Sequence, residues 1–117
     1  PTNGRVITMY SANDPLRKGI DLEGKQGDPV KATGAGSVVY AGSGLAGYGQ
    51  LIIIKHDDQF LSAYGHNSKL LVAEGDAVKK GQVIAEVGSS GADKNKLHFE
   101  IRKSGKPVDP LLYLPRR

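Results

Sequence analysis

Polar residues that could do acid–base chemistry or bind a metal alternate with apolar residues near the end of the chain. If residues 97–102 form a strand, its apolar residues face the core, and the opposite face carries Lys96, His98, Glu100 and Arg102. A histidine beside a carboxylate can transfer protons or ligate a metal ion. The polar face of this predicted strand is therefore the first candidate site.

Two further segments place polar residues on one face by the same alternation. Ser62, Tyr64 and His66 form one such set, and Arg17 and Asp21 form another. A groove shared by the three segments would gather imidazole, carboxylate, phenol and guanidinium groups. For any one segment, an ordinary solvated face of an antiparallel sheet is the alternative.

Short strands must position these residues. Runs rich in β-branched residues between turn formers predict strands at 20–22, 30–32, 37–41, 51–56, 60–64, 70–73, 82–87 and 97–102. No helical periodicity of useful length competes with them. We expect a mostly β fold of antiparallel sheet, with residues 1–16 as an extended lead-in and residues 17–117 as the domain. Residues 109–115 predict at most one helical turn, whose leucines would cap the core.

An internal repeat relates two halves of this domain. Residues 27–32, Gly-Asp-Pro-Val-Lys-Ala, match residues 75–80, Gly-Asp-Ala-Val-Lys-Lys, and a glycine and a strand follow each copy. In each copy the Gly-Asp pair would form a tight turn, and the valine would enter the core. Such a duplication is typical of a barrel-sandwich, a duplicated hybrid motif found in carrier domains and in some peptidases. Chance similarity in a glycine-rich chain is the alternative, and fold alone does not choose a function.

The composition limits the classes of function. A chain of 117 residues with a formal charge of +4 and no cysteine excludes a multidomain enzyme, disulfides and thiol catalysis. No apolar run approaches the roughly 18 residues of a membrane span. The basic residues are scattered and the aromatic residues are few, so no stacking platform for nucleic acid is evident. We expect a monomer that binds no nucleic acid.

The three polar segments together resemble the LytM-type, lysostaphin-like zinc endopeptidases, which cut peptidoglycan cross-links. The resemblance covers about residues 4–114. It rests on residues 17–21 against the family's His-x-x-x-Asp, residues 64–66 against its Tyr-x-His, and residues 96–101 against its His-x-His-Phe-Glu-Ile. It implies the LytM fold and the peptidoglycan of a bacterial cell wall as the setting.

The chain departs from this family at two histidine positions. The resemblance makes Asp21 and His98 remnant zinc ligands and His66 a remnant catalytic histidine, whereas Arg17 and Lys96 stand where the family has histidines. Guanidinium and ammonium groups offer no lone pair, and their charge repels a divalent ion. A catalytic zinc needs three protein ligands and an open position, and two ligands remain. We therefore expect no metal, no cofactor and no catalysis, with Arg17 paired to Asp21 in the metal's position.

This degenerate pattern resembles the LytM domains of Gram-negative division proteins of the NlpD and EnvC type. The resemblance implies a non-catalytic activator of a periplasmic N-acetylmuramoyl-L-alanine amidase, acting in peptidoglycan splitting during cell division. It also implies a periplasmic location, with an outer-membrane anchor in the full-length protein. The amidase would bind the former active-site groove, and the expected groove residues are Arg17, Lys18, Asp21, Tyr48, Tyr64, His66, Lys96, His98, Glu100 and Arg102.

Other hypotheses remain open at this stage. A weak zinc endopeptidase would use Asp21, His98 and a substitute ligand, and a peptidoglycan-binding module would use the basic groove without a partner protein. A biotinyl or lipoyl carrier is disfavoured because no Met-Lys-Met hairpin lies between the two halves. We interpret His56, beside Asp57 and Asp58, as part of a solvated turn rather than a second metal site.

Overall fold

Ten β-strands and a 3₁₀ turn form the described part of the chain, which in this computed structural model comprises residue 2, residues 4–14 and residues 17–114. The elements are β1 (Val6–Thr8), β2 (Ile20–Glu23), β3 (Pro29–Lys31), β4 (Gly36–Gly42), β5 (Gln50–Lys55), β6 (Phe60–Leu70), β7 (Ala77–Val78), β8 (Val83–Val87), β9 (Lys96–Lys103), β10 (Lys106–Val108) and the 3₁₀ turn Pro110–Leu112. Every strand pairing is antiparallel. The predicted mostly β fold is confirmed. None of the helical structure in these residues is long and apolar enough to cross a membrane.

The strands differ from the sequence prediction in several places, and β7 and β10 were not predicted at all. β1 falls inside the predicted lead-in, and it pairs with β2 at the edge of the sheet. The predicted strand at 70–73 is wrong, because β6 runs without a break to Leu70 and the chain then leaves the ladder. Residues 1, 3, 15 and 16 of the predicted lead-in, and residues 115–117 of the predicted domain, lie outside the described residues.

β6 is the longest strand and organises the sheet. Its first half pairs with β5 on one side and with β9 on the other, and its last residues pair with β8. The main path across the sheet is β1-β2-β9-β6-β5-β4-β7, and β8 carries β3 as a branch. Because β2, β9 and β6 are neighbours, the strands that carry Asp21, His98 and His66 lie side by side.

The two copies of the repeat form matching turns. Gly27 and Gly75 have φ angles of 93° and 92°, a conformation that glycine adopts without the Cβ penalty of other residues. Asp28 and Asp76 each accept a hydrogen bond from the backbone N–H three residues earlier, at 2.9 Å in both copies. The predicted Gly-Asp turns are therefore present in both halves.

The two halves exchange strands. β3, which belongs to the first copy, pairs with β8, which follows the second copy, and β7 of the second copy pairs with β4, which follows the first. Val30 in β3 and Val78 in β7 are both buried in the common core. Because each half completes the sheet of the other, the duplication forms one interlocked unit with a single core.

The core lies on the inner face of the sheet. Its largest fully buried side chains are Tyr64, Phe99, Ile20, Leu22, Leu51, Ile52, Ile54, Ile84 and Leu97. At the end of the described chain, Leu111 and Leu114 pack against this core as predicted. Leu112 does not, because the 3₁₀ turn points it outward and leaves it 76% exposed.

Candidate functional site

β9 presents the polar face that its alternating sequence predicts. Leu97 and Phe99 are buried in the core, and the opposite face carries Lys96, His98, Glu100 and Arg102. Asp21 on β2 lies directly across from His98 in the strand register. Strand pairing alone therefore brings the aspartate and the histidine together.

His98 is held between two carboxylates. Its Nδ1 lies 2.7 Å from Asp21 Oδ1, and its Nε2 lies 2.8 Å from Glu100 Oε2. Burial by itself lowers the pKa of His98, but the hydrogen bonds to the two carboxylates outweigh it and raise the pKa to about 9. At neutral pH both ring nitrogens donate, and the ring is an imidazolium.

Glu100 is buried and is surrounded by donors. Its Oε2 also accepts from the Tyr48 hydroxyl at 2.7 Å, and its Oε1 accepts from Arg102 Nε and NH2 at 3.0 and 2.9 Å. Burial raises the pKa of this carboxyl, but the hydrogen bonds from His98, Tyr48 and Arg102 lower it to about 2. Glu100 is thus a fixed negative charge rather than a free acid or base.

Lys96 occupies the other oxygen of Asp21. Its Nζ lies 3.3 Å from Asp21 Oδ2, and both side chains are largely buried. Burial raises the pKa of Asp21, while the hydrogen bond from His98 and the charges of His98 and Lys96 hold it below its usual value. Both oxygens of the aspartate are therefore bound to cationic donors.

The predicted ion pair between Arg17 and Asp21 is wrong. Arg17 Nε lies 3.6 Å from Asp14 Oδ2 instead, and both Arg17 and Lys18 are exposed. The strand β2 begins only at Ile20, so strand alternation does not extend back to Arg17. Lys96, reaching across from β9, makes the contact that we predicted for Arg17.

His66 reaches the groove through a break in strand alternation. Its φ of 66° is the left-handed conformation, which redirects the side chain. The His66 ring centroid lies 6.0 Å from that of His98, and Nδ1 donates to the Ser90 carbonyl at 2.8 Å. Burial lowers the pKa of His66 and outweighs the hydrogen bond to Ser90. The ring is therefore neutral at pH 7, and its Nε2 carries the lone pair.

Tyr64 lies in the core and does not line the groove. Its side chain is 0% exposed, its ring packs 5.3 Å from that of Phe99, and its hydroxyl bonds to Ser62 Oγ at 2.7 Å. Ser62 and Tyr64 share a face as predicted. The prediction that His66 joins them on that face is wrong, because the backbone at His66 interrupts the alternation.

Tyr48 forms the rim of the groove. Its ring lies 5.7 Å from the His98 ring, and its hydroxyl also accepts from Arg102 NH2 at 3.3 Å. Its carbonyl accepts from His66 N–H at 2.8 Å, and Gly65 leaves room for this approach because a Cβ there would come within 3.3 Å of the same carbonyl. Tyr48 thus links β6 and β9 across the groove.

Ser90 fixes the second wall of the groove, and we did not predict it. Its Oγ accepts from Gln50 N–H at 2.9 Å and donates to the Asn67 carbonyl at 2.6 Å, while its own carbonyl orients His66. A Cβ on Gly49 would lie 2.1 Å from the Ser90 carbonyl oxygen, so the loop that carries Tyr48 and the loop that carries Ser90 are in direct backbone contact there. A serine in a Gly-Ser-Ser-Gly segment has no distinctive sequence signal, which is why the pattern did not reveal it.

Comparisons with known proteins agree with this geometry. The sequence pattern of Peptidase family M23 matches residues 15–110, which is most of the chain. The chain belongs to Peptidase family M23. Among solved structures, the M23 chain is similar to the antimicrobial peptidase lysostaphin from Staphylococcus simulans, with 31% identity, a TM-score of 0.87, and coverage of 96% of this chain and 49% of that one. The predicted LytM, lysostaphin-type fold is confirmed.

Two curated relatives are more similar in sequence. This M23 chain is 62% identical over 117 residues to a lipoprotein NlpD/LppB homolog of Pseudomonas aeruginosa, covering all of this chain and 39% of that protein. It is 55% identical over 117 residues to the murein hydrolase activator NlpD of Escherichia coli, covering 31% of that protein. The chain thus spans about a third of the length of these relatives.

The groove of this M23 chain does not fit the zinc ion that the LytM resemblance implies. A metal ligand must offer a lone pair, but both nitrogens of His98 donate to carboxylates and both oxygens of Asp21 accept from cations. No group of three or more His, Cys, Asp or Glu that could hold a metal is found among the described residues. The ammonium of Lys96 and the imidazolium of His98 supply positive charge where a metal would otherwise be needed.

Proposed function

We propose that this domain is a non-catalytic activator of a periplasmic N-acetylmuramoyl-L-alanine amidase, and that the amidase binds in the groove between β2, β9 and the Tyr48 loop. The relatives named as murein hydrolase activators and lipoproteins support this role and a location at the outer membrane, facing the periplasm. The domain would act in the splitting of peptidoglycan during cell division.

One observation carries the proposal. The former active site is closed by an internal chain of ion pairs that runs from Lys96 through Asp21, His98 and Glu100 to Arg102. Both nitrogens of His98 and both oxygens of Asp21 and of Glu100 already bind partners in this chain, so these three residues are not free to activate a water molecule. Such a network is rigid, and a rigid polar floor suits protein recognition.

The groove surface offers cations and one aromatic ring to a partner. Lys96, His98 and Arg102 are partly exposed above the buried carboxylates, and Tyr48 lies beside them. Tyr and Arg are the side chains most often found at binding hot spots. We expect the partner to insert an acidic or amphipathic element here, with a carboxylate facing Lys96 and Arg102.

Activation requires a difference in affinity between two states of the amidase. The domain shifts the amidase toward its open state only if it binds that state more tightly than the closed one. A tenfold shift needs about 1.4 kcal/mol of differential affinity. A few contacts at the groove, such as those of Lys96 and Arg102, are enough to supply a difference of this size.

Release of dye from labelled peptidoglycan tests the proposal. The purified domain is mixed with each N-acetylmuramoyl-L-alanine amidase of the source organism, and the rate is compared with that of either protein alone. We expect an increase with a cognate amidase and no release by the domain alone. Release by the domain alone, or no increase with any amidase, would overturn the proposal.

A matched pair of variants locates the binding surface. Lys96→Gln keeps a hydrogen-bond donor for Asp21 but removes the charge, and we expect activation to fall by about tenfold. Lys69→Gln removes the same charge from an exposed lysine on β6 that does not contact the groove network. It should leave activation unchanged. Equal activation by both variants would show that the amidase binds elsewhere.

A further inference from the structure

A second cavity lies on the other side of the sheet from the groove. Its volume is about 1,090 Å³, and its lining includes Ser62 and Ile101. These two residues are paired across β6 and β9, one position away from the pair formed by Ala63 and Glu100. Side chains on neighbouring positions of a strand point to opposite faces, so this cavity is separate from the groove.

A continuous series of hydrogen bonds forms the floor of this cavity. His56 Nδ1 lies 2.8 Å from the Ala35 carbonyl, which can only accept, so in the neutral ring Nε2 accepts from Ser62 Oγ at 2.7 Å. Ser62 in turn bonds to the Tyr64 hydroxyl, which Thr33 N–H meets at 3.0 Å. His56 begins the exposed turn that we expected, but both nitrogens of its ring bind protein groups rather than solvent alone. The polar floor is satisfied internally, so recognition of a ligand falls to the walls and the rim.

The wall presents apolar side chains that the core does not use. Leu112 is 76% exposed and Tyr113 is 45% exposed, although both lie on a turn that Asp109 caps through a hydrogen bond to Leu111 N–H. The Tyr113 ring packs edge-on against Phe60, with centroids 5.4 Å apart. Exposed apolar side chains held by a capped turn at the mouth of a cavity are typical of ligand-binding sites.

The rim of the cavity is positive. Lys31 and Lys80 line it, and within the described residues neither forms an ion pair. Lys103 does not line the cavity, although its Nζ lies 5.8 Å from the centre of the ring of Phe60, which does. Asp57 also lines the cavity, but its Oδ1 already accepts from the backbone N–H groups of its own turn. Cations outnumber the carboxylate, and an aromatic and aliphatic wall lies beside them.

We propose that this cavity binds the muropeptide unit of peptidoglycan, a disaccharide whose stem peptide carries several carboxylates. The carboxylates face Lys31 and Lys80, and the apolar edges of the sugar or peptide pack on Tyr113 and Leu112. The choice of ligand rests on the proposed function, which places the domain at the cell wall, but the site is distinct from the amidase groove. One face of the sheet then binds the enzyme while the other holds its substrate polymer nearby.

Nuclear magnetic resonance titration of the ¹⁵N-labelled domain with a purified disaccharide-tetrapeptide tests this inference without any amidase. We expect amide shifts around residues 31, 80 and 113. Titration with the disaccharide alone and with the free stem peptide identifies which part carries the affinity. Shifts that are absent, or that occur only at the groove residues 48, 96 and 98, would overturn the inference.

Two double variants provide the matched control. K31E/K80E reverses the two rim charges, and we expect it to weaken muropeptide binding at least tenfold. K69E/K79E makes the same charge change at exposed lysines that do not line the cavity, and it should bind as the parent does. Equal weakening in both would overturn the inference, since it would reflect net charge alone.

The outcomes separate this inference from the proposed function. If the K31E/K80E variant no longer binds muropeptide but still activates an amidase, this inference and the proposed function both stand. If the parent domain activates an amidase but binds no muropeptide, the inference fails and the proposed function remains. If it binds muropeptide in the cavity but activates no amidase, the inference stands and the proposed function fails.

Discussion

The protonation state of His98 determines what the groove can do. A neutral histidine in this position would offer one bare nitrogen to a metal ion, whereas an imidazolium offers none. Asp21 and Glu100 bond to the two nitrogens at 2.7 and 2.8 Å and hold both protons in place. The two carboxylates are bound by three cations, Lys96, His98 and Arg102, so this polar cluster needs no metal to balance its charge.

The raised pKa of His98 predicts how stability depends on pH. Because the pKa rises from 6.5 to about 9 on folding, the stabilisation is complete below pH 6.5 and is lost as the pH rises through 9. Because the pKa of Glu100 falls from 4.5 to about 2, its stabilisation is present above pH 4.5 and is lost as the pH falls toward 2. We expect maximal stabilisation by this pair between pH 4.5 and 6.5.

Urea unfolding at pH 6 and pH 9.5 checks this expectation. The free energy of unfolding of the parent domain should fall by on the order of 3 kcal/mol between the two values. His98→Gln removes the titrating group and should show little of this change. Equal pH dependence in the parent and the variant would mean that another group is responsible.

Substitutions at Tyr64 test whether this residue belongs to the core. Tyr64→Ala empties a fully buried site and should lower the free energy of unfolding by about 3–5 kcal/mol. Tyr64→Phe keeps the ring but removes the acceptor of the Thr33 N–H, while Ser62 keeps its bond to His56, at a cost of about 1–3 kcal/mol. Thermal and chemical unfolding measure both. A Tyr64→Ala domain as stable as the parent would contradict the buried position.

Alternation predicted the site residues only where the strand is regular. It placed Lys96, His98, Glu100 and Arg102 correctly because β9 has no bulge or unusual φ angle among these residues. It failed at His66, where a left-handed backbone redirects the side chain, and at Arg17, which precedes its strand. A single unusual φ angle is set by long-range packing, and a period-two pattern cannot reveal it.

At the scale of elements, two loops depend on each other for their shape. The loop that carries Tyr48 and the loop that carries Ser90 meet at Gly49, and Ser90 joins them to β5 and β6 through hydrogen bonds to Gln50 and Asn67. Both walls of the groove are therefore fixed by backbone contacts in a small region. Changes at this contact should alter the whole groove.

A pair of glycine substitutions separates the loop contact from simple backbone strain. Gly47 and Gly49 both have positive φ angles, of 88° and 62°, so alanine is strained at either position. A Cβ on Gly47 meets nothing within 4 Å, whereas one on Gly49 would collide with the Ser90 carbonyl. We expect Gly49→Ala to lower the melting temperature several degrees more than Gly47→Ala and to shift the His66 ring signals. Equal effects would show that the loops are not in tight contact.

The repeat was readable from sequence because its turns depend on local chemistry. Gly27 and Gly75 provide the positive φ, and Asp28 and Asp76 cap the same turn in both copies. The exchange of β3 and β7 between the halves was not readable, since pairing partners depend on contacts between distant segments. Loop contacts such as that of Ser90 escaped prediction for the same reason.

At the scale of the whole molecule, one sheet separates two surfaces of different character. The groove face carries a rigid network of charges, and the core face opens at one end into a cavity with an apolar wall and a positive rim. Both surfaces depend on β6 and β9, which are paired over six positions. The interlocked halves hold these strands in register, so the groove keeps its geometry without a metal to organise it.

Long-range ¹H–¹⁵N spectra of the histidine rings, recorded at pH 7 before and after addition of zinc, test directly whether cations have replaced a metal in the groove. We expect both nitrogens of His98 to be protonated and its signals to stay unchanged with zinc in excess. A neutral His98 ring whose bare nitrogen shifts on adding zinc would contradict the replacement of the metal by Lys96 and His98.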